Sequence, residues 1–574
     1  MHRRYLHYGF LTLFLGIFLW GLNARYPLIG EDYFYVFPRL LEGKWHFLRQ
    51  GIAPLRFAPH LCGGFPQYGN PQDHFYSMAQ FLSFFLNLWT ATQLSLVITM
   101  IVGYVGWVRL GKDILKLSSA WSHLLALVCI ASGFYFMHML VGHLWIISLP
   151  LLSWLLWLLF LPGREERKTL WTRAAFFGGV SSYILYSGSQ TLVFLFVLII
   201  AAIVPLDLLL AENFWERLKI LLRRIGAYGC VALLFSASKL VAVYSLMRSL
   251  NVEAAFSNYH AGESMLLLML KSFWGLPQAV SLFPSTVSFS RLQEESMFTS
   301  HVALVGIVGL IYLLVRNRLL PRGKTYALMF YAALLTAFLL ALVRGSGIVP
   351  ETLQDFPLFS ALRVPERFLY ILSLLVSLGG VWGAARIYRT FFSHLHEYRV
   401  VAGAALMTIL GFLIAYVPPL RNDPISISLP YEDILQFERE HPGYLKMPVR
   451  EAFEPEGGRV SDFHYLFSAS TGTQCYEAIP HDPPHLRNGP VDMVYDNAFN
   501  IYNPVCLQYP KENNCHLYER ISVEDRDNFL LFTHGEKTTW KLSTLQVWAD
   551  RVTVFSFLGV PIALFLVKRR KATP

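Results

Sequence analysis

The chain is organised by long apolar runs separated by shorter polar stretches. A run must hold roughly 20 mostly apolar residues to cross a bilayer as a helix. Such runs recur at about 5–24, 89–109, 119–139, 144–162, 171–188, 191–210, 225–246, 299–316, 325–343, 367–386, 400–417 and 552–567. They predict an all-α polytopic membrane protein with about twelve spans. Two further apolar stretches, about 76–88 and 264–276, are too short to cross. They predict helices lying along or dipping into the outer interface.

Charge on alternate loops tests this register. Arg109, Lys112 and Lys116 share one loop, and Arg164, Arg167, Lys168 and Arg173 fall in or beside the next loop of the same parity. Arg217, Lys219, Arg223 and Arg224 follow, then Arg316, Arg318, Arg322 and Lys324, then Arg386, Arg389 and Arg399, and finally Lys568 to Lys571. With the N-terminal Arg3 and Arg4, every segment of this parity is basic, which is the mark of the cytoplasmic side. Both termini are therefore expected in the cytoplasm. The start, Met1-His2-Arg3-Arg4 and an apolar run to about Asn23, mimics a signal peptide. No small-x-small cleavage site is evident before Pro27, so it is expected to be a retained first helix.

Composition agrees. Of 574 residues, 54% are hydrophobic and 15% charged, where soluble proteins carry about 25% charged. The net charge of +10 is topology charge rather than a phosphate-binding stripe, so no nucleic-acid partner is expected. The outer side holds three long loops, about 25–75, 247–298 and 344–366. Segment 418–551 differs in kind, being rich in Pro, Asn, Asp, Glu and Tyr, and predicts a small mixed or mostly β extracytoplasmic domain. The expected organisation is thus a transmembrane domain over 1–417, the outer domain over 418–551, and a last helix with a basic cytoplasmic tail over 552–574. Cys129 and Cys230 fall within spans as packing residues. Cys62, Cys475, Cys506 and Cys515 fall on the outer side, where Cys506 and Cys515 are the first candidates for a disulfide. Cys62 and Cys475 either form a second bridge or stay as free thiols.

The first outer loop carries the strongest chemical signal. It opens Gly30-Glu31-Asp32-Tyr33 and continues through Cys62-Gly63-Gly64-Phe65-Pro66 to Asn70-Pro71-Gln72-Asp73-His74. A long loop without clear periodicity is functional or disordered, and this one is too aromatic for disorder. A carboxylate at the membrane edge can act as a general base. Asp32 with Asp73 could also hold a divalent cation such as Mg or Mn. Alternatively, Glu31 and Asp32 merely cap the next helix and stay solvated.

A second group is basic. Arg344 opens an outer loop, Arg363 and Arg367 close it, and Lys239 lies inside the seventh span. A charge deep in a span costs about 2.5–3.5 kcal/mol and needs a partner. A lipid phosphate suits, since an arginine's planar fork matches its oxygens. The alternatives are snorkelling for Lys239, and headgroup contact or pairing with Glu366 for the arginines. His60, His74, His138 and His143 also lie near the outer face. No pair shows a spacing such as His-Glu-x-x-His, so no zinc site is expected. His143 is either a ligand to a sugar hydroxyl or phosphate, or a satisfied interfacial histidine. No P-loop, Gly-x-Gly-x-x-Gly or Gly-x-Ser-x-Gly occurs, which removes support for nucleotide hydrolysis and serine-hydrolase chemistry.

Gly30-Glu31-Asp32-Tyr33 with the later Gly-Gly-Phe-Pro and Asn-Pro-Gln-Asp-His-Phe-Tyr, Gly142-His143 before the Pro150 helix, and Arg363-Val364-Pro365-Glu366-Arg367-Phe368 together resemble the GT-C glycosyltransferases, in their bacterial YfhO-like branch. The resemblance covers spans one to ten. It implies a membrane glycosyltransferase that uses a polyprenyl-phosphate-linked sugar, with inversion, in the bacterial inner membrane and on its extracytoplasmic side. The acceptor would be an envelope glycan, lipid or protein. The resemblance puts Asp32 in the place of the catalytic carboxylate, with Glu31 its rival. Arg363, Arg367, Arg344, Lys239, His143, Asn70 and Gln72 are the candidate substrate and lipid-phosphate ligands. Two other classes stay open: a lipid or glycan transporter or flippase, expected to show inverted repeats and broken helices at the midplane, and a non-catalytic envelope assembly factor.

Overall fold

The computed structural model describes residues 2–56, 58–61, 67–163, 165–249, 265–274, 294, 296–316, 318–344, 348–353, 364–422, 427–440 and 542–569, with 451–453, 470–472, 489–490, 527, 531 and 533–534 between the last two. Cys62, Cys475, Cys506, Cys515 and Arg363 lie outside the described residues.

Each of the twelve long apolar segments is helical. They form α1 (His2–Leu22), α4 (Leu88–Asp113), α5 with α6 (Ser119–Ile130, Gly133–Val141), two 3-10 turns leading into α7 (Leu152–Phe160), α8 (Arg167–Tyr186), α9 (Gln190–Leu210) and α10 (Phe214–Ser249). After α11 (Met265–Trp274) come α12 (His301–Val315), α13 (Arg322–Val343), α14 (Ile348–Leu353), α15 (Leu369–Phe391) and α16 (Glu397–Asn422). The short α17 (Tyr431–Glu440) follows, and α18 (Thr544–Arg569) is the last. By length and composition, seven helices can cross a membrane, counting Ser119–Val141 as one. Leu6–Leu22, Leu144–Phe160 and His301–Val315 are apolar but shorter.

Local chemistry explains the helix starts. Asn87 accepts the Thr90 N–H at 2.9 Å and Ser118 accepts the Trp121 N–H at 3.5 Å, satisfying donors that the first turns of α4 and α5 leave open. Packing then uses small residues: an added Cβ on Gly306 of α12 would lie 1.9 Å from the Gly380 carbonyl of α15. Backbones meet there directly, as association in lipid favours.

Three segments differ from the expectation. The first outer loop is not irregular throughout. It contains strand β1 (Leu28–Gly30) and an 18-residue helix, α2 (Tyr33–Gln50). Pro38, which lies inside α2, hid it in the sequence; in the structure its polar face is buried as well as its apolar one. Tyr33, Phe37, Leu40 and Leu41 line one side. Tyr35, Arg39, Glu42 and His46 line the other, under the chain that follows: the Asn70 amide donates to the Tyr35 hydroxyl at 2.9 Å, and His60 Nδ1 meets Glu42 at 3.3 Å. Second, the third span is broken at Ala131–Ser132 and the fourth begins as two 3-10 turns around Pro150. Third, α18 begins at Thr544 rather than about 552, and its Asp550 takes Arg56 and the Ser238 hydroxyl, each at 2.5 Å.

The start of the 418–551 segment is stitched to the first loop. Strand β2 (Ile427–Pro430) pairs antiparallel with β1, Leu28 opposite Pro430. The Tyr431 hydroxyl accepts the Trp89 N–H at 3.1 Å, and its ring meets Phe37 edge-on at 5.6 Å. Further on, β3 (Glu451–Phe453) lies between β4 (Ser470–Gly472) and β5 (Gly489–Pro490). At the opposite end of the helices, part of the topology charge is paired internally. Buried Arg224 donates to the Leu159 carbonyl at 2.9 Å and meets Glu165 at 2.8 Å, while Arg217 meets Asp207 at 2.5 Å.

Candidate active site

The site forms where α2 meets the turn that joins α6 to the 3-10 turns before α7. Gly142 closes α6 in the left-handed region, at φ +104°. A side chain there would be strained, and its Cβ would lie 2.6 Å from the Tyr33 nitrogen. Gly30 comes equally close on the other strand of the joint, its would-be Cβ 2.4 Å from the Leu140 carbonyl. The two chains lock by hydrogen bonds: Asp32 N–H donates to the Val141 carbonyl at 3.0 Å, and the Tyr33 hydroxyl donates to the Met139 carbonyl at 2.6 Å.

This joint brings Asp32 onto His143. Asp32 occupies the N-cap position of α2 but makes no side-chain cap. Its Oδ2 instead pairs with His143 Nε2, and the carboxylate keeps 27% of its surface exposed. The capping alternative is therefore not what the side chain does. Of the adjacent acids, Asp32 is the one that reaches His143. Glu31 sits half-buried in the turn before α2.

From His143 the contacts continue inward. Its ring lies 5.0 Å from that of His138. His138 Nδ1 faces the Phe134 carbonyl at 2.8 Å, and its Nε2 faces Glu294 Oε2 at 3.0 Å. Arg367 grips Glu294 with two bonds, Nε at 3.1 Å and Nη2 at 2.6 Å. Its guanidinium also stacks on Trp145, 4.4 Å from the ring centre. Burial pushes the Glu294 carboxyl up, but Arg367 and His138 outweigh it and hold it well below the usual carboxylate range.

Asp32, His143 and Arg367 thus belong to one cluster, joined by His138, Glu294 and Trp145. Glu294 was not visible as a site residue beforehand: it stands at a helical position in the segment before α12, in no recognisable spacing. Arg367 pairs with Glu294 rather than standing as a free cation. Arg344 ends α13 and is exposed, with no contact to the cluster among the described residues.

Lys239, Asn70 and Asp73 form a second, separate cluster. The Lys239 ammonium donates to the carbonyls of Tyr68 and Asn70, each at 2.9 Å, and meets Asp73 at 3.4 Å. Asp73 also accepts from Gln67 at 2.9 Å and from the Phe75 N–H at 3.1 Å. This corrects two expectations. Lys239 neither snorkels nor waits for a lipid phosphate: its three donors are used in holding the 67–73 turn. Asp73 does not share a cation with Asp32, because its oxygens face Lys239, Gln67 and Phe75. Asn70 is fully buried, and Gln72 beside it is half-buried, its N–H on the Asn70 side-chain oxygen at 2.9 Å. His74 Nδ1 donates to the Ser187 carbonyl at 2.8 Å, so the small polar turn after α8 is a seat for this loop.

No protein-family model and no curated protein matches the chain. Among solved structures, it is similar to the arabinofuranosyltransferase AftD from Mycobacteria, with TM-score 0.41 and 13% identity over 84% of this chain and 32% of that one. A structure of a mutant of the same protein gives TM-score 0.44 and 14% identity over 84% and 34%. The chain thus spans about a third of the length of the structures it matches.

Proposed function

We propose that this protein is a membrane glycosyltransferase of the GT-C kind, moving a sugar from a polyprenyl-phosphate donor to an envelope glycan, lipid or protein outside the cytoplasm. It would cross the bacterial inner membrane twelve times with both ends inside. The observation that carries the proposal is the cluster itself: a partly exposed carboxylate, oriented by a histidine, in a connected set of contacts that ends at an arginine.

In this scheme Asp32 accepts the proton of the acceptor hydroxyl through Oδ1, while His143 holds Oδ2 and fixes the plane of the carboxylate. The acceptor oxygen forms a bond to the anomeric carbon as the bond from that carbon to the phosphate oxygen breaks, and the electron pair leaves on the phosphate. A single displacement of this kind inverts the anomeric centre. Arg367 keeps Nη1 for a phosphate oxygen, since Glu294 engages Nε and Nη2. Glu294 offsets much of that charge, so Arg363 and Arg344 are proposed as further phosphate contacts.

The test uses the full chain in nanodiscs and a panel of short-chain polyprenyl-phosphate pentoses and hexoses. Release of polyprenyl phosphate by the native protein and its loss in Asp32→Asn supports the proposal. Equal release from both proteins removes Asp32 from the chemistry. Movement of the intact donor across the bilayer, unaffected by Asp32→Asn, would favour a transporter instead.

A further inference from the structure

We propose that His138, His143 and Glu294 bind a divalent transition-metal ion of the zinc class. The three side chains offer one ligand atom each, and these atoms lie within 4.8 Å of one another. Donors around a tetrahedral zinc at about 2.0–2.2 Å lie roughly 3.4 Å apart. His138 Nε2 and Glu294 Oε2, at 3.0 Å, already approach that spacing.

The proton positions make the case. His138 Nδ1 faces the Phe134 carbonyl, which only accepts, so that nitrogen carries a proton. In the neutral ring, Nε2 is then a lone pair, and it points at a carboxylate oxygen that is also an acceptor. Two acceptors face each other across 3.0 Å. Either the ring is charged while fully buried, or a cation belongs between them. His143 supplies the third donor. Its Nε2 is directed at Asp32, and its Nδ1 is buried without a hydrogen-bond partner. An orphaned buried nitrogen is costly in a folded chain and calls for an explanation. Metal-binding histidines characteristically give their second N–H to a carboxylate or carbonyl, which fixes the tautomer. Asp32 stands so to His143, and the Phe134 carbonyl so to His138. Two imidazoles and one carboxylate select a transition metal over magnesium or calcium.

The expectation of no zinc site came from the absence of a local spacing. These ligands come instead from both sides of the Gly142 turn and from the segment before α12. Asp32, Glu294 and Arg367 sum to −1 when the imidazoles are neutral, and a divalent ion makes the cluster +1, the sign an anionic substrate requires. The site stands without the catalytic proposal, because it is tested without donor or acceptor.

The full chain is purified in detergent, stripped with chelator, and titrated with ZnCl2 and with CoCl2. One ion per chain is expected, with visible ligand-field absorption for cobalt and nitrogen scatterers in the X-ray absorption of the zinc form. His143→Gln, at a partly exposed position, should weaken binding at least tenfold while the melting temperature of the metal-free protein is unchanged. Asp32→Asn should weaken it about 10–100-fold, as loss of a partner to a ligand does. No stoichiometric uptake, or uptake that His143→Gln leaves unaltered in a folded protein, overturns the proposal.

Discussion

The Asp32 carboxylate and the His143 imidazole pair across a joint of two turns, one leaving β1 and one leaving α6. Neither turn could form with a bulkier residue at Gly30 or Gly142, so the geometry of the pair depends on backbone contact rather than on the pair itself.

Replacing Asp32 by Asn keeps the shape and removes the proposed base. Transfer should fall about 10²–10⁴-fold, the usual range for general acid–base help. Expression and melting temperature should hold. His143→Gln should lower transfer less, since it frees the carboxylate without removing it. Both are read by release of polyprenyl phosphate.

Gly142→Ala tests the joint. The left-handed conformation costs an L-residue roughly 1–2 kcal/mol, and the new Cβ would press on the Tyr33 nitrogen at 2.6 Å. A lowered melting temperature and a loss of transfer should appear together. Unchanged stability would show that the two turns need not touch.

Lys239→Met isolates the role of the second cluster. Breaking a buried ion pair by removing one partner destabilises by about 3–5 kcal/mol, and Asp73 would be left charged and buried. The double variant Lys239→Met with Asp73→Asn should recover much of the loss. A Lys239→Met protein that melts normally but binds donor weakly would restore the phosphate-clamp role.

His74 links this loop to pH. Burial, the largest cause, drives its pKa down to about 4 from 6.5, with Arg39 and Lys239 adding to the effect and the Ser187 carbonyl opposing it. The folded state keeps the ring neutral, while the unfolded chain takes up a proton below about 6.5. The unfolded state therefore binds more protons in that window, and stability falls as pH drops from about 6.5 to about 4. At about 1.4 kcal/mol per pH unit the loss approaches 3 kcal/mol. His74→Asn should flatten the melting curve against pH over that window. An unchanged slope would place the titration elsewhere.

Part of this was legible from the linear chain. The helices lie at the apolar runs because lipid-facing residues must be apolar over a fixed length, a local property of composition. Glu31 and Asp32 drew attention together because acids beside the opening helix, before an aromatic loop, are a local pattern too, and the choice of Asp32 between them came from the family resemblance. Helix α2 was missed although its apolar and polar residues recur at helical spacing, because Pro38 lies inside it and reads as a break. Glu294 was missed because nothing near it in sequence marks it.

The sequence by itself determined where the long apolar helices lie and which stretches suit a membrane, and it left Asp32 and Glu31 as rival carboxylates. Only the tertiary structure decided which charges meet. It gave Lys239 to the 67–73 turn, Arg367 to Glu294, and His143 to Asp32. The reason is physical: the cost of burying a charge is written in the residue, but the partner that offsets it arrives from a distant segment, along a path set by backbone packing.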